Sequence, residues 1–248
     1  MVSPTFGVTI SDRLWSVVKA SRFPSWTFGP ILYAIGVVHS RVIPRTPVSL
    51  VRAGLQVFAV SVPLSISAWL SHCPEPPSTF PALVVFGVND VYDYESDKRN
   101  PRKVVDGLEG GLLHPIFHSD VLKAAYCSTV FIITSALITG GRENVIATIL
   151  LVVLGWQYSS PPLRLKEIPV LDSLSNGGIV FLAWFCGFSF SGLSIFEIPS
   201  KGIMLSLCTT GIHALGAVMD TEADMASGQR TIATAFGKRP AAIFAALC

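Results

Sequence analysis

The sequence predicts an all-α fold, a multi-pass transmembrane helical bundle, and three observations carry that prediction. Of 248 residues, 50% are hydrophobic and 14% charged, whereas soluble domains carry about 25% charged residues. Apolar stretches approaching the roughly 20 residues that cross a hydrocarbon core recur along the chain. The basic residues fall in short clusters between those stretches rather than along one polar face, the pattern of topology signals. A net charge of +2 so distributed gives no basis for a nucleic-acid partner. The partner implied is the lipid bilayer, and no protein partner is implied.

The expected spans lie near 24–39, 52–90 (interrupted), 122–139, 143–158, 174–195 and 202–219, and a seventh starts near Ala241. Asp12, Arg13, Lys19 and Arg22 precede the first long apolar run, so the N-terminal segment reads as retained rather than as a cleaved signal peptide. Cys73, Cys127, Cys186, Cys208 and Cys248 are widely spaced with no CxxC pair, and read as small buried hydrophobes.

If each span crosses once, the N-terminus and the connections after spans two, four and six share a face. Thirteen Lys and Arg fall there, against five opposite (Arg41, Arg45, Arg52, Arg142 and Lys201), so the positive-inside rule puts that face in the cytosol. The same face carries two acidic clusters, each following an apolar run and preceding basic residues. "NDVYDYESDKRNPRK" holds Asp90, Asp93, Glu95 and Asp97, and "MDTEADMASGQR" holds Asp220, Glu222 and Asp224. Seven of the chain's sixteen acids lie in these two windows, too many for scattered helix-end solvation.

On a helix continuing from the second span, Asp90, Asp93 and Asp97 stand at i, i+3 and i+7, with Asn89 four before Asp93, so all share a face. Asp220 and Asp224 are likewise one turn apart. Like charges at these spacings repel, and ionisable groups at membrane depth mark functional sites by default. Carboxylates with an amide suit a hard divalent ion, and Mg²⁺ is held by a few carboxylates together with substrate phosphates. Neighbouring Lys98, Arg102 and Arg230 would hold phosphate oxygens directly. A diphosphate bridged by Mg²⁺ between two helices satisfies both signs of charge. A small cation or proton transporter is the rival class, but transporters place such acids near the bilayer midplane, and here both clusters sit at helix ends.

"NDVYDYESD" and "DTEAD", in this order, together with the connecting "QYSSPPLRLKE", resemble the two Asp-rich motifs and the Tyr- and Lys/Arg-bearing loop of the UbiA superfamily of membrane prenyltransferases. That resemblance implies a helical bundle whose polar cap holds Mg²⁺ and a prenyl diphosphate above an apolar interior for the isoprenoid tail. Residue by residue it implies Asn89, Asp90, Asp93 and Asp97 as metal ligands from the first motif and Asp220 and Asp224 from the second, with Asp93 and Asp220 essential to catalysis. It implies Arg22, Tyr158, Arg164 and Lys166 as diphosphate contacts. Longer runs such as "GWQYSSPPLRLKEIPVLDSLSNGGIVFLAWF" look closest to the fungal sesquiterpene cyclases of fumagillin-type biosynthesis. The expectation is therefore a cyclase ionising farnesyl diphosphate and closing it to a bergamotene-type sesquiterpene, in the endoplasmic reticulum with its cap facing the cytosol. The alternative is a transferase passing the prenyl group to an aromatic or isoprenoid acceptor. Trp156, Phe181, Trp184, Phe185, Phe188 and Phe190 are candidates to shield an allylic cation, though packing is the commoner role.

The whole chain, 1–248, reads as one such domain with two departures. "ISAWLSHCPEPPSTFP" at 66–81 puts four prolines inside the second span, where proline breaks a helix, and reads as an aberrant insertion. The chain then stops inside the seventh apolar segment, so the bundle is expected to be truncated after about seven helices, lacking its C-terminal ones. His114 and His118 are spaced i, i+4, but Pro115 between them argues against a zinc pair. Ser173 and Ser175, beside Asp172, lack an evident base partner.

Overall fold

A computed structural model describes residues 8–22, 27–61, 83–99 and 112–248. In chain order the helices are α1 (Ile10–Ala20), α2 (Phe28–Ser40), α3 (Pro47–Ser61), α4 (Val88–Tyr92), α5 (Tyr94–Asp97), α6 (His118–Thr139), α7 (Arg142–Ser159), α8 (Leu171–Ser189), α9 (Ser200–Ser227), α10 (Ile232–Phe236) and α11 (Lys238–Leu247). There is no strand among the described residues.

Among the described residues, three segments are long and apolar enough to cross a membrane: Pro115–Thr139, Leu171–Ser189 and Ser200–Ser227. Phe28–Ser40 and Pro47–Ala59 are shorter apolar helices. The expected segments near 122–139 and 202–219 fall inside helices, α7 covers 143–158, and α8 covers most of 174–195. The second expected span divides between α3 and the acidic segment after Leu83, and the proline-rich 66–81 between them lies outside the described residues.

The bundle is organised around α8. Its membrane-length window is 61% buried, against 33% for Pro115–Thr139 and 28% for Ser200–Ser227, and it packs on α2, α7 and α9. A helix apolar all round belongs inside a bundle, and "GGIVFLAWFCGFS" is such a run. Trp184, Phe185 and Phe188 are buried there, with the Trp184 and Phe188 rings stacked at 5.1 Å between centroids. These rings pack on one another and on α2, so packing is what the structure shows for them.

Between apolar helices in lipid there is no hydrophobic gain, so close backbone approach and hydrogen bonds do the holding. Gly36 of α2 and Gly187 of α8 supply the approach: a Cβ on Gly36 would run into the Trp184 carbonyl, and one on Gly187 into the Tyr33 carbonyl. A buried polar chain adds direction. Tyr33 donates its hydroxyl to Gln56 Oε1 (2.8 Å), Gln56 Nε2 donates to Asn144 Oδ1 (2.7 Å), and Asn144 Nδ2 donates to the Cys186 carbonyl (2.6 Å). Four helices, α2, α3, α7 and α8, are joined by side chains that have no water to turn to.

Helix α1 is one the apolar count passes over, because only one of its faces is apolar. Thr9 and Asp12 form a reciprocal cap at its start, which holds the Asp12 carboxyl below its usual value. Arg13 Nη1 pairs with Asp120 Oδ2 of α6 at 2.7 Å. Among the described cysteines two depart from expectation: Cys186 is buried, but Cys127 and Cys208 are exposed on the outer faces of α6 and α9, where an apolar side chain meets lipid at little cost; Cys73 lies outside the described residues.

Replacing Gly187 with leucine forces α2 off α8. The expected result is a loss of about 2 kcal/mol, read as a lowered melting temperature of the detergent-solubilised protein. An unchanged melting temperature would show that the α2–α8 approach is dispensable.

Candidate functional site

The first acidic segment enters through a π-helical turn, Leu83–Gly87, and then runs as α4 and α5, two short pieces rather than the single helix expected. The break is at Asp93, whose φ and ψ are −98° and 0°. The ladder nevertheless continues, with Asp93 N–H donating to the Asn89 carbonyl (2.9 Å) and Asp97 N–H to the Asp93 carbonyl (2.8 Å). Asp90, Asp93 and Asp97 thus keep their common face and are 2%, 2% and 3% exposed. Ionised carboxylates so buried require cations.

Those cations come from other parts of the chain. Arg22, just past α1, places Nη2 3.1 Å from Asp90 Oδ1 and its guanidinium 4.6 Å from the centre of the Phe86 ring. From the connection between α7 and α8, Arg164 Nη2 lies 3.5 Å from Asp93 Oδ1, and Lys166 Nζ pairs with Asp93 Oδ2. Arg164 also pairs with Glu167. Burial pushes the Lys166 ammonium down to about 8, against the charges of Glu167, Asp90 and Asp224, which favour its protonated form; Arg22 adds to the depression. Lys166 is therefore where the fields of both acidic motifs meet.

Four described non-glycine residues have positive φ, and two of them are these arginines, Arg22 at 53° and Arg164 at 42°. Strain of this kind persists where surrounding structure over-determines it, and it clusters at functional sites.

The second acidic motif ends α9. Gly228 terminates that helix at φ +77°, the left-handed position that favours glycine, and Gln229 N–H returns to the Asp224 carbonyl (2.8 Å). Asp224 is buried and accepts from Thr231 Oγ1 (3.5 Å), while Asp220 is half-buried. Gln229 Nε2 reaches Ser96 Oγ (3.4 Å), tying this turn to the first motif. Asp172, at the start of α8, spends its carboxylate on backbone amides, accepting from Ser173 N–H (2.7 Å) and Ile232 N–H (3.1 Å). It fixes the segment that follows the second motif.

The other expected site residues are distributed as follows. Asn89 turns toward α7, donating to Ser159 Oγ (3.0 Å). Tyr158 lies one residue earlier on α7, its hydroxyl accepting from Asn176 Nδ2 (3.0 Å) and meeting His213 Nε2 (3.4 Å). Lys98 and Arg230 are exposed, and Arg102 lies outside the described residues. Trp156 donates to Thr129 Oγ1 (2.8 Å) and packs on Tyr126. His114 and His118 are spent on local backbone, accepting from Ile116 N–H and contacting the Leu113 carbonyl. Ser173 does have a basic neighbour that spacing could not reveal, His213 Nδ1 at 3.2 Å across 40 residues.

As the side chains stand, no three His, Cys, Asp or Glu groups among the described residues are gathered to hold a metal ion. Two of the buried carboxylates have guanidinium or ammonium nitrogens on their oxygens, Asp90 from Arg22 and Asp93 from Arg164 and Lys166. The donor chemistry fits Mg²⁺, since the buried groups at this end are hard carboxylate oxygens. A further polar atom is turned inward, because Arg22 Nε is buried without a hydrogen-bond partner among the described residues. Asp90, Asp93, Asp97, Asp220 and Asp224 are the residues that could hold the ion, and Arg22, Arg164 and Lys166 those that could hold an anion beside it.

Residues 78–248 match the profile of the UbiA prenyltransferase family. The chain belongs to that family. Among similar relatives of this UbiA chain are a C(50) beta-cyclic carotenoids biosynthesis protein of a Dietzia species, 34% identical over 167 residues, and a lycopene elongase/hydratase of Corynebacterium glutamicum, 35% identical over 164 residues. These matches cover 67% and 64% of the chain but 38% and 55% of the relatives, so the chain spans about half the length of the curated relatives it matches. A UbiA homolog from Archaeoglobus fulgidus bound to GPP and Mg²⁺ shares the fold, with a TM-score of 0.68 at 20% identity over 91% of this chain and 71% of that one. No likeness to a sesquiterpene cyclase is among them.

Asp172→Ala removes the acceptor of two buried amides and leaves every cation and acid of the cap in place. It should cost about 2 kcal/mol and speed proteolytic cleavage after Gly228. Protection equal to wild type would remove Asp172 from the support of the second motif.

Proposed function

We propose that this UbiA-family chain is a membrane prenyltransferase that ionises a short allylic diphosphate of the DMAPP or GPP class and passes the prenyl group to a long isoprenoid acceptor of the lycopene type. The observation that carries the proposal is the interleaving of Arg22, Arg164 and Lys166 with buried Asp90 and Asp93 at one end of the bundle. Two signs of charge held together out of solvent suit a ligand that is anionic itself and is accompanied by a cation. The acceptor class rests on the names of the curated relatives, and the donor class on the diphosphates named for the solved neighbours.

In this reading Arg22 and Arg164 form charge-assisted hydrogen bonds to the diphosphate oxygens, and Lys166 sits between them as a buried point charge. Mg²⁺, when bound by Asp90, Asp93, Asp97, Asp220 and Asp224, supplies neutralisation of the charge that develops on the leaving group. As the allylic C–O bond breaks, the cations hold the departing electron pair on diphosphate, and the preset arginine backbones spare reorganisation at that moment. The apolar interior excludes water from the allylic cation until the acceptor alkene attacks. Exposed Lys98 and Arg230 attract the anion at long range rather than hold it. The excess of basic residues on this face supports a cytosolic cap, while an endoplasmic-reticulum membrane rests on the fungal resemblance alone.

Cyclisation of farnesyl diphosphate would use the same ionisation step, and acceptor dependence separates the two. Membranes containing the chain, given DMAPP, GPP or farnesyl diphosphate with Mg²⁺, should form product when lycopene is supplied and none without it. Release of a volatile hydrocarbon from farnesyl diphosphate with no acceptor would replace transfer by cyclisation. Asp93→Ala and Asp220→Ala should each lower turnover by about 10²-fold or more, and retained activity in either would overturn the metal-site assignment.

A further inference from the structure

The cap accounts for how a prenyl cation is made but not for how the reaction ends. Addition of that cation to an alkene leaves a second carbocation on the coupled product, and neutral product requires that a proton be removed or water be added. The interior should therefore hold a base below the cap.

One polar cluster lies there. His213 is on the same face of α9 as Asp220, seven residues earlier and thus about 10 Å further into the bundle along the helix axis. Its two ring nitrogens are both engaged, Nε2 with the Tyr158 hydroxyl (3.4 Å) and Nδ1 with Ser173 Oγ (3.2 Å). The neighbouring contacts fit one direction of proton transfer. Asn176 Nδ2, anchored by donating to the Asp172 carbonyl (2.9 Å), also donates to the Tyr158 oxygen (3.0 Å). The phenolic proton is therefore free to point at His213, and in that arrangement Nε2 accepts it and Nδ1–H donates to Ser173. Tyr158 remains half-buried on the last turn of α7, next to Ser159, which accepts from Asn89 of the first motif.

We infer that Tyr158 and His213 form the proton relay that ends prenyl transfer. The inference rests on the transferase reading above. After the allylic C–O bond has broken with its electron pair leaving on diphosphate, the acceptor's π electrons form the new C–C bond and leave a carbocation. A C–H bond beside that centre then breaks, its electrons become the new double bond, and the proton passes to the Tyr158 oxygen as the phenolic proton passes to His213 Nε2. The net products are diphosphate, an elongated alkene and an imidazolium, which later loses its proton to solvent. Tyr158 is the group that meets the substrate, and His213 acts through it.

The test is the product mixture of His213→Gln, which keeps an acceptor for the Tyr158 hydroxyl but cannot take up a proton. Membranes with DMAPP, Mg²⁺ and lycopene in ¹⁸O-water are assayed for released diphosphate, elongated alkene and elongated alcohol. Diphosphate release should stay near wild type while the ratio of alkene to ¹⁸O-labelled alcohol falls by about 10²-fold. An unchanged ratio at unchanged release would overturn the relay, as would parallel loss of release and both products from folded protein. If the glutamine variant does not accumulate, His213→Gly with added imidazole decides: restored alkene supports the relay, and no restoration rejects it. Absence of acceptor-dependent product from wild-type membranes would instead reject the transferase reading, and the relay with it.

Discussion

Three carboxylates on one buried helical face cannot stay ionised without cations, and the rest of the structure is arranged around supplying them. The Lys166–Asp93 pair is the centre of that arrangement. Lys166 is 9% exposed and Asp93 2% exposed, so neither charge has water to fall back on, and breaking such a pair by deleting one partner is strongly destabilising. Arg22 arrives from beyond α1 and Arg164 from the connection before α8, each with its backbone held at positive φ. These contacts bring three distant stretches of chain to one end of the bundle. Their net value for folding is small or negative; what they maintain is a set of charges ready for a ligand that carries both signs.

The remainder of the bundle keeps that set in register. Central α8 reaches the site at its first turn, where Asp172 holds the segment after the second motif, and reaches the opposite end through the polar chain from Tyr33 to Cys186. The Gly36–Gly187 approach sets the distance from α2 to α8. Since apolar helices gain little from one another in lipid, a few such contacts carry much of the positional information.

The two acidic motifs were legible because i, i+3 and i+7 spacing survives the local break at Asp93, and the residues that reach them were legible by type. What spacing could not show was which cation meets which acid. Lys98 and Arg230 sit nearest the motifs in sequence yet are exposed, whereas Arg22 and Lys166, remote in sequence, make the contacts. His213 was invisible as a partner for the same reason: 40 residues separate it from Ser173 and 55 from Tyr158. The resemblance to the UbiA superfamily carried the fold and the family, but the finer likeness to fungal sesquiterpene cyclases has no support among the relatives, whose names concern lycopene and C(50) carotenoids. Cyclase and transferase share the ionising cap, and the cap is where the recognisable residues lie.

The central claim is that the interleaved charges form a diphosphate site completed by Mg²⁺. Calorimetric titration of the solubilised protein with geranyl S-thiolodiphosphate, an unreactive donor analogue, tests it without reference to acceptor or product. The account predicts binding that requires Mg²⁺ and is lost in both Asp93→Asn and Lys166→Met. Binding of equal strength with Mg²⁺ chelated, or undiminished in both variants, would contradict it.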